Sequence, residues 1–298
     1  MPKDRVGVRS ETPRPFLKWA GGKGQLLEDL DQVFPPDFSR YFEPFLGGGA
    51  VFFHLSRIGF GGQSILSDTN PELITAYQVV RNSVEALIDE LQSGFYVSTK
   101  EVFYEIRGWD REPSWRHVDP VRRTARMIYL NRTCYNGLYR VNQKGQFNVP
   151  FGRYKNPTIC DEENLRAVSK ALKNAKILCA DFAEALQDAG PGDFVYLDPP
   201  YQPMSDTAYF TEYTSGGFGV DEQKRLADVF LDLHKRGCLV LESNSDVPLI
   251  RKLYENDAFI TETVQARRAI SCDPTGRGTV GELLIRNYSD TVQARLPD

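Results

Sequence analysis

The spacing of hydrophobic residues changes twice along the chain, and each change predicts a different kind of element. Short apolar runs, typical of buried strands, occur at Tyr41–Phe45, Ser64–Leu66 and Phe194–Leu197. Between residues 83 and 130 the apolar residues recur at spacings of three and four, which is the period of helices. From Ile177 onward, strand-like runs alternate with helical stretches. The pattern predicts strand–helix units at both ends of the chain and a helical region between them.

Residues that favour turns and helix starts refine this prediction. Pro71 suits the first turn of a helix. Asn136-Gly137 and Lys144-Gly145 predict tight turns, the second within a β-hairpin. The other predicted elements are helices over 50–57, 71–81, from Asp181 and over 221–236, and strands over 238–241, 259–264 and 282–286. We therefore predict an α/β fold in which a doubly wound sheet is interrupted by a mainly helical insertion that carries a β-hairpin.

A strand that ends in two prolines marks the first candidate site. Phe194–Leu197 leads into Asp198-Pro199-Pro200-Tyr201, and the strand must stop there because neither proline has an N–H to pair. A carboxylate, an unpaired carbonyl and an aromatic ring thereby meet at the carboxyl end of a strand, where open α/β sheets bind ligands. An amino group on a planar base could donate to Asp198 and to the Pro199 carbonyl while stacking on Tyr201. The tetrapeptide alone fits an ordinary turn; after a buried strand it predicts an active site.

A glycine-rich turn marks a candidate nucleotide site. Tyr41–Phe45 runs into Leu46–Val51, whose three consecutive glycines let backbone approach a ligand closely. The spacing does not fit the G-x-G-x-x-G fingerprint of dinucleotide binding. Asp68 follows about 20 residues later at the end of the next strand, where a carboxylate typically bonds ribose hydroxyls. A glycine turn alone is weak support, but together these features predict binding of an adenosine without a pyrophosphate.

Charge changes the picture in one region. The net charge of −4 argues against a nucleic-acid partner. However, residues 121–160, here named the basic tract, contain eight Arg or Lys, six Tyr or Phe, and no Asp or Glu. A solvated basic face would explain a shorter run, whereas a long tract that is basic and aromatic predicts a nucleic-acid surface.

Other features exclude whole classes of protein. No apolar run approaches the roughly 18 residues of a membrane helix, and the polar amino terminus is not a signal peptide. The five cysteines are scattered and include no C-x-x-C pair, so we expect reduced thiols rather than a disulfide framework or a zinc site. The sequence predicts a cytoplasmic protein without a membrane or metal partner.

Several motifs in collinear order resemble one known family. They resemble the Dam family of DNA adenine-N6 methyltransferases, of the α group and D12 class, which acts on GATC. The motifs that carry the resemblance are Phe16–Lys23, Glu43-Pro44-Phe45 with the glycines that follow, Asp68-Thr69-Asn70, Asn131–Arg140, Phe147–Gly152, Asp198–Tyr201 and Arg267–Ser271. They cover residues from about 14 to 288, and the chain departs from the pattern at Gly48 and at Cys272-Asp273-Pro274.

The resemblance implies a Rossmann-like methyltransferase sheet and S-adenosyl-L-methionine as the cofactor. It implies a discontinuous catalytic domain over 13–82 and 175–290, a target-recognition domain over 83–174, and flexible termini at 1–12 and 291–298. Trp19 and Lys23 would hold the methionine end of the cofactor, and Asp68 its ribose. The expected cofactor-binding residues are Trp19, Gly21, Lys23, Glu43, Pro44, Phe45, Gly47, Gly48, Asp68, Asn70, Asp181, Phe182 and Asp198, of which Asp181 and Phe182 would hold the adenine.

The resemblance also implies double-stranded DNA as the partner, with the target adenine flipped out of the helix into a catalytic site formed by Asp198, Pro199, Pro200 and Tyr201. Arg140 has the fork geometry to read a guanine, although it would fit a phosphate contact without the family pattern. The loop from Gln202 to Gly219 would either close over the flipped base or be merely flexible. The expected DNA-binding residues are Lys18, Arg132, Tyr135, Asn136, Leu138, Arg140, Asn148, Pro150, Arg153, Arg267, Arg268 and Arg277.

Two alternatives stay open at the level of sequence. RNA guanine-N2 methyltransferases use a similar Asp-Pro-Pro-Tyr motif, but they lack the long insertion between the cofactor and catalytic motifs. A DNA-binding protein that has lost catalysis is the other alternative, although every catalytic position is intact. We expect a monomer. The sequence leaves open the exact recognition sequence, processivity, and whether a separate cognate restriction endonuclease exists.

Overall fold

A seven-stranded mixed sheet forms the centre of the protein. The computed structural model describes residues 12–201, 218–267 and 279–289, and the structural statements below refer to these. The strand order across the sheet is β3-β2-β1-β4-β5-β7-β6, and β7 runs antiparallel to its two neighbours. The strands are β1 Tyr41–Glu43, β2 Ser64–Asp68, β3 Ala175–Cys179, β4 Phe194–Leu197, β5 Leu239–Ser245, β6 Ile260–Arg267 and β7 Thr279–Arg286.

The two central strands fix where a ligand can bind. β1 and β4 are buried along their whole length, because a parallel sheet covered on both faces requires continuous apolar runs. β1 continues outward to β2 and β3, whereas β4 continues in the other direction to β5. The order therefore reverses between β1 and β4, and their carboxyl ends border the crevice where doubly wound folds bind ligands. The predicted α/β fold with a doubly wound, Rossmann-like sheet is confirmed.

Helices cover the sheet and build the insertion between β2 and β3. Proline opens four of them, where a missing N–H costs nothing. The described α-helices are α1 Leu27–Asp31, α2 Ala50–Arg57, α3 Pro71–Asn82, α4 Val84–Gln92, α5 Lys100–Gly108, α6 Pro120–Thr133, α7 Glu162–Ala171, α8 Phe182–Ala185, α9 Val220–Lys235 and α10 Pro248–Leu253. Short 3₁₀ turns lie at Lys23–Gln25, Trp109–Arg111, Pro113–His117, Tyr135–Gly137 and Leu172–Asn174.

The insertion is more broken than its apolar spacing predicts. The prediction that residues 83–130 are helical throughout is wrong, because α4 ends at Gln92 and α5 begins only at Lys100. Gly94 takes a left-handed φ of 88° just after α4, and prolines begin the 3₁₀ turn at Pro113 and α6. The predicted hairpin is reduced to an isolated antiparallel bridge between Val141 and Phe147 around the Lys144-Gly145 turn.

The insertion does not have a core of its own. One cluster of buried side chains contains Leu66 of the sheet, Tyr77 of α3, and Met127 and Tyr129 of α6. α6 packs against α3 and α4, and α7 packs against α3 and α2. Apolar packing therefore couples the insertion to the sheet, and the division at residues 83 and 174 stays a prediction.

Candidate active site

A cavity of about 910 Å³ lies at the carboxyl ends of β1, β2 and β4. It is the crevice expected from the reversal of strand order between β1 and β4. The sequence-predicted residues that line it are Trp19, Gly21, Lys23, Glu43, Pro44, Phe45, Gly47, Gly48, Asp68, Asp181, Phe182, Asp198, Pro199, Pro200 and Tyr201. Asn70 is not among the lining residues; its side chain instead accepts hydrogen bonds from the first N–H groups of α3 as a helix cap.

The glycine turn after β1 allows a tryptophan to pack against it. A Cβ added to Gly47 would lie 2.8 Å from Cδ1 of Trp19, and one added to Gly48 would lie 3.2 Å from Trp19 Cβ. Gly47 also has a φ of +47°, which L side chains rarely adopt. The close approach of Trp19 therefore requires these glycines.

Asp68 fixes the same turn from the end of β2. Its Oδ2 accepts a hydrogen bond from the Gly47 N–H at 3.1 Å, and its Oδ1 accepts one from the Asn70 N–H at 2.9 Å. Burial raises the pKa of Asp68, while these N–H donors act in the opposite direction. The carboxylate thus holds the glycine turn and lines the cavity.

Four side chains form a charged cluster at the catalytic motif. Lys23 Nζ lies 2.8 Å from Asp198 Oδ1 and 3.9 Å from Glu282 Oε2, although the lysine is only 5 % exposed. The same ammonium stands 4.4 Å from the centre of the Tyr201 ring. The Tyr201 hydroxyl donates to Glu282 Oε2 at 2.6 Å. One lysine thereby contacts two carboxylates and a tyrosine ring, and the four side chains come from three parts of the chain.

Burial and neighbouring charges oppose each other at Asp198. Burial raises the pKa of Asp198, whereas the Lys23 ammonium acts to lower it. Ser243 adds a stabilising hydrogen bond to the charged form, from its Oγ to Asp198 Oδ1 at 3.2 Å. Nearby, burial raises the pKa of the Glu43 carboxyl to about 8, so Glu43 is largely protonated at neutral pH. Burial therefore raises the pKa of both carboxyls, and at Asp198 the Lys23 ammonium opposes that rise.

Aromatic rings form the opposite wall. The Phe45 ring lies 5.4 Å from that of Phe182 and 5.6 Å from that of Phe218. Asp181 caps α8 and accepts two hydrogen bonds from the Arg225 guanidinium, at 2.8 and 2.7 Å, which lower the pKa of its carboxyl. Arg225 also covers the Phe182 ring at 4.0 Å. An aromatic wall with a carboxylate at its edge suits a planar nitrogenous ring.

The predicted DNA-reading residues lie on an exposed turn and the adjacent hairpin. Asn136 adopts a left-handed φ of 57° at the turn, and the Tyr135 side chain beside it is 55 % exposed. Arg140 is exposed, and its Nε donates to Asn148 Oδ1 across the hairpin at 2.8 Å. The Pro150 carbonyl accepts the Tyr135 N–H at 2.9 Å, which ties the turn to the second arm. The structure therefore brings these residues to one surface.

Lys18 and Trp19 connect this surface to the cavity. Asn131 accepts from the Lys18 N–H and donates to the Lys18 carbonyl, both at 2.8 Å, and it also donates to the Gly137 carbonyl. A Cβ at Gly137 would lie 2.4 Å from Lys18 Cδ, so the turn and the lysine are in close contact. The neighbouring Trp19, which lines the cavity, stacks on Tyr139 with ring centres 5.1 Å apart. One peptide bond thus separates the two sites.

Three basic residues of the basic tract have structural partners. Arg123 forms an ion pair with Glu72, and Arg126 lies 2.7 Å from Asp110 and is buried. Arg132, predicted to bind DNA, is partly buried and donates to the Phe16 carbonyl at 2.9 Å, so its placement does not suit a phosphate contact. The exposed members of the tract are Arg122, Arg140, Lys144, Arg153 and Lys155.

Some predicted residues lie outside the described ranges. These are Arg268 and Arg277, together with most of the predicted loop from Gln202 to Gly219. Arg267 is described only as part of the β6 backbone. The DNA-binding roles of these residues and the role of the loop remain predictions.

Sequence reasoning missed residues that complete the site. Glu282 interrupts the apolar strand β7, and Ser243 interrupts β5, so a polar residue in a buried strand was the available signal. Arg225 gave no signal, because an arginine on an amphipathic helix is usually a solvated residue. Their link to Asp198, Tyr201 and Asp181 depends on tertiary contacts alone.

Within the described residues, no helix is long and apolar enough to cross a membrane, and no group of three or more His, Cys, Asp or Glu could hold a metal ion.

Comparison with known proteins gives one consistent result. The model of the protein family described as "D12 class N6 adenine-specific DNA methyltransferase" matches residues 19–270. The chain is 46 % identical to the type II methyltransferase M.MjaIII of Methanocaldococcus jannaschii, over 92 % of this chain and 99 % of that protein. It is 42 % identical to M1.LlaDCHI of Lactococcus lactis subsp. cremoris, over 93 % and 96 % of the two chains. It is 38 % identical to the DNA adenine methylase of Vibrio cholerae, over 91 % and 95 %.

Proposed function

Because the chain belongs to the D12 class of N6 adenine-specific DNA methyltransferases, we propose that it methylates adenine within GATC in duplex DNA after flipping the target base out of the helix. The general activity, methyl transfer to adenine in DNA, follows from the family and decides against the RNA guanine-N2 alternative. The target sequence, the flipping step and the residue roles below are the proposal.

One observation carries the proposed chemistry. Asp198, at the end of β4, lines the same cavity as the glycine turn after β1 and as Asp68 at the end of β2. A methyl donor held over the glycine turn and a base held at Asp198 would therefore share one enclosed space. Positioning two reactants in this way supplies a large part of the acceleration of a bimolecular reaction.

The cavity suits S-adenosylmethionine, the cofactor that methyltransferase families generally use. Its volume of about 910 Å³ lies within the range of roughly 300–1,000 Å³ for small-molecule sites. The Phe45, Phe182 and Phe218 wall suits an adenine ring, and the Asp68 carboxylate suits ribose hydroxyls. Asp198 and the Tyr201 ring are groups that favour a nearby cation such as a sulfonium. When bound, this cofactor supplies an electrophilic methyl group.

Protein groups at the catalytic motif would prepare the adenine amino group. The lone pair of N6 is delocalised into the ring, which makes this nitrogen a poor nucleophile. Hydrogen bonds from N6 to the Asp198 carboxylate and to the Pro199 carbonyl would favour a pyramidal nitrogen and free the lone pair. Lys23 would keep Asp198 in its accepting, ionised form. Stacking on Tyr201, whose hydroxyl is anchored by Glu282, would hold the base in place.

Flipping a base out of the helix costs a few kcal/mol of stacking and pairing energy. The protein must therefore supply groups that compensate for this loss. The exposed Tyr135 and Asn136 project from the turn beside Lys18 and are the candidates to fill the vacated space. Arg140, oriented by Asn148, would read a guanine through O6 and N7, and Lys18 would contact the first guanine. Leu138 and Pro150 would contact a thymine methyl.

The decisive experiment measures labelled methyl transfer from S-adenosylmethionine to a GATC duplex, to each one-base variant and to an RNA of the same sequence. We expect N6-methyladenine to form fastest on GATC, with each wrong base costing about 1–3 kcal/mol. In parallel, methylated plasmid should resist a methylation-sensitive GATC endonuclease and be cut by a methylation-dependent one. Equal transfer to all duplexes would exclude GATC specificity, and binding without transfer would show a protein that has lost catalysis.

A further inference from the structure

The catalytic turn contains two consecutive prolines, which limits how the protein can hold it. Pro199 and Pro200 have no N–H, so hydrogen bonds that fix the turn must reach its carbonyl groups or side chains. In the structure one such bond comes from α9, where Gln223 Nε2 donates to the Pro200 carbonyl at 3.0 Å. Gln223 is itself completely buried.

A chain of buried side chains fixes the orientation of this glutamine. Asn244 Nδ2 donates to Gln223 Oε1 at 3.0 Å and to Glu242 Oε1 at 2.8 Å. Glu242 Oε2 accepts a further hydrogen bond from the Tyr254 hydroxyl at 2.6 Å. Because Gln223 Oε1 must face the Asn244 donor, its Nε2 is the atom that faces Pro200. The direction of each hydrogen bond, from donor to acceptor, is therefore fixed along this series of side chains up to the Pro200 carbonyl.

The same strand supports both sides of the turn. On β5, Ser243 donates to Asp198 Oδ1 at 3.2 Å, whereas its neighbours Glu242 and Asn244 belong to the buried chain. Successive residues of a strand point to opposite faces of the sheet, so one strand acts on the Asp198 carboxylate from one face and on Pro200 from the other. Gln223 and Glu242, both with 0 % exposure, are expensive to bury. An apolar core would be comparably stable, so stability alone does not account for them.

We propose that Gln223 is a positioning residue for methyl transfer, which clamps the Pro200 carbonyl and so fixes Asp198, the Pro199 carbonyl and Tyr201 relative to the target base. This inference rests on the proposed adenine-N6 reaction. A shift of about 1 Å in such a turn can cost a factor of about 100 in rate. Gln223 does not line the cavity, and it acts through the Pro200 carbonyl.

Two substitutions at this position give distinguishable results. Gln223→Met has similar length but removes both hydrogen bonds, and we expect single-turnover methylation to fall about 10- to 100-fold. The dissociation constants for cofactor and for duplex DNA should stay within about threefold of wild type. Gln223→Glu keeps the acceptor for Asn244 and can donate to Pro200 only when it is protonated. Its rate relative to wild type should be near one in acid and should fall as the pH rises.

A matched control is available on α3. Gln78 Nε2 donates to the Ile177 carbonyl of β3 at 3.3 Å, far along the sheet from the catalytic turn. Gln78→Met removes a comparable helix-to-strand bond, and we expect an unchanged rate. A Gln223→Met enzyme with the wild-type rate, or a Gln223→Glu enzyme whose relative rate does not depend on pH, would overturn the positioning role. Absence of methylation by the wild-type enzyme would instead refute the proposed function itself.

Discussion

Lys23 sits where it controls the charge of Asp198. Burial raises the pKa of Asp198, and the ammonium 2.8 Å away opposes that rise. In the proposed reaction Asp198 accepts one N6 hydrogen bond, and it accepts best as a carboxylate, so we expect transfer to fall as the pH drops through its pKa. Removing Lys23 raises this pKa further, and Lys23→Met should therefore move the acid limb of the rate profile to higher pH.

Single-turnover rates from about pH 5 to about pH 9 at saturating cofactor and DNA would measure this shift. Lys224→Met is the matched control, because Lys224 is an exposed lysine that pairs with Asp221 on α9 and does not line the cavity. An acid limb that stays in place in Lys23→Met would show that Lys23 does not set the ionisation of Asp198.

Asp68 is expected to have two roles, one in cofactor binding and one in holding the glycine turn, and a single substitution affects both. It is expected to bond the cofactor ribose, and it holds the Gly47 and Asn70 N–H groups. Asp68→Ala should weaken S-adenosylmethionine binding by roughly 1.5–3 kcal/mol, the scale of a charge-assisted hydrogen bond. Asp68→Asn keeps one oxygen acceptor for the turn and should lose less. Calorimetry of both variants tests this, and an unchanged dissociation constant in Asp68→Ala would mean that the ribose lies elsewhere.

At the scale of elements, the sequence predicted most of the sheet because its strands are short apolar runs with clear ends. β4 and α2 have the predicted bounds, and α3 differs by one residue. The end of β5 was missed, because its last residues, Glu242 to Ser245, are polar yet buried. Their burial depends on partners in α9 and near α10, which no local pattern reveals.

The hairpin that carries Arg140 gives the sharpest test of base reading. Arg140 is held by Asn148, whereas Lys144 lies exposed at the turn of the same hairpin. Arg140→Ala should cost about 1–3 kcal/mol on GATC and relax discrimination at one base pair. Lys144→Ala should weaken binding to all sequences alike, with a change of about one unit in salt slope if it contacts a phosphate.

Single-turnover methylation of GATC and of each one-base variant, at two salt concentrations, distinguishes the two cases. If Arg140→Ala slows every site equally, Arg140 belongs with the backbone contacts. Specificity would then have to come from Lys18, Leu138 and Pro150.

At the scale of the whole molecule, counting charges along the sequence overestimates the basic surface. The basic tract has no acidic residue of its own, but folding brings Glu72 to Arg123 and Asp110 to Arg126. Both partners lie before the tract in the sequence, so a count within the tract cannot find them. The catalytic motif was predictable because its residues are contiguous, whereas Glu282 and Gln223 join it only through the fold.

Exposed and buried basic residues of the tract should differ in their effects on DNA binding and on thermal stability. Lys155→Ala, at an exposed position, should reduce the salt slope of DNA binding by up to about one unit and leave the melting temperature unchanged. Arg126→Met should leave the salt slope unchanged and lower the melting temperature, since it removes one of the two ion pairs of the buried Asp110, whose other partner is Arg111, at a cost of about 1.5–3 kcal/mol. Salt titrations and thermal melts of both variants would measure the two effects. A changed salt slope in Arg126→Met would place this arginine at the DNA.

Lys18 and Trp19 are adjacent in the chain, so we expect the binding of cofactor and the binding of DNA to be linked. Trp19 stacks on Tyr139 and borders the cofactor cavity, while Lys18 lies against the Asn136-Gly137 turn. If cofactor and DNA bind at these two places as proposed, both contact the same short segment. Thermodynamic reciprocity then requires that any factor by which cofactor tightens DNA binding equals the factor by which DNA tightens cofactor binding. We expect a factor of about 10, measured by titrating each ligand with and without the other, and its loss in Trp19→Ala. A duplex with one wrong base would then bind more weakly at the DNA-binding surface. It would also fail to raise the affinity of the enzyme for the methyl donor.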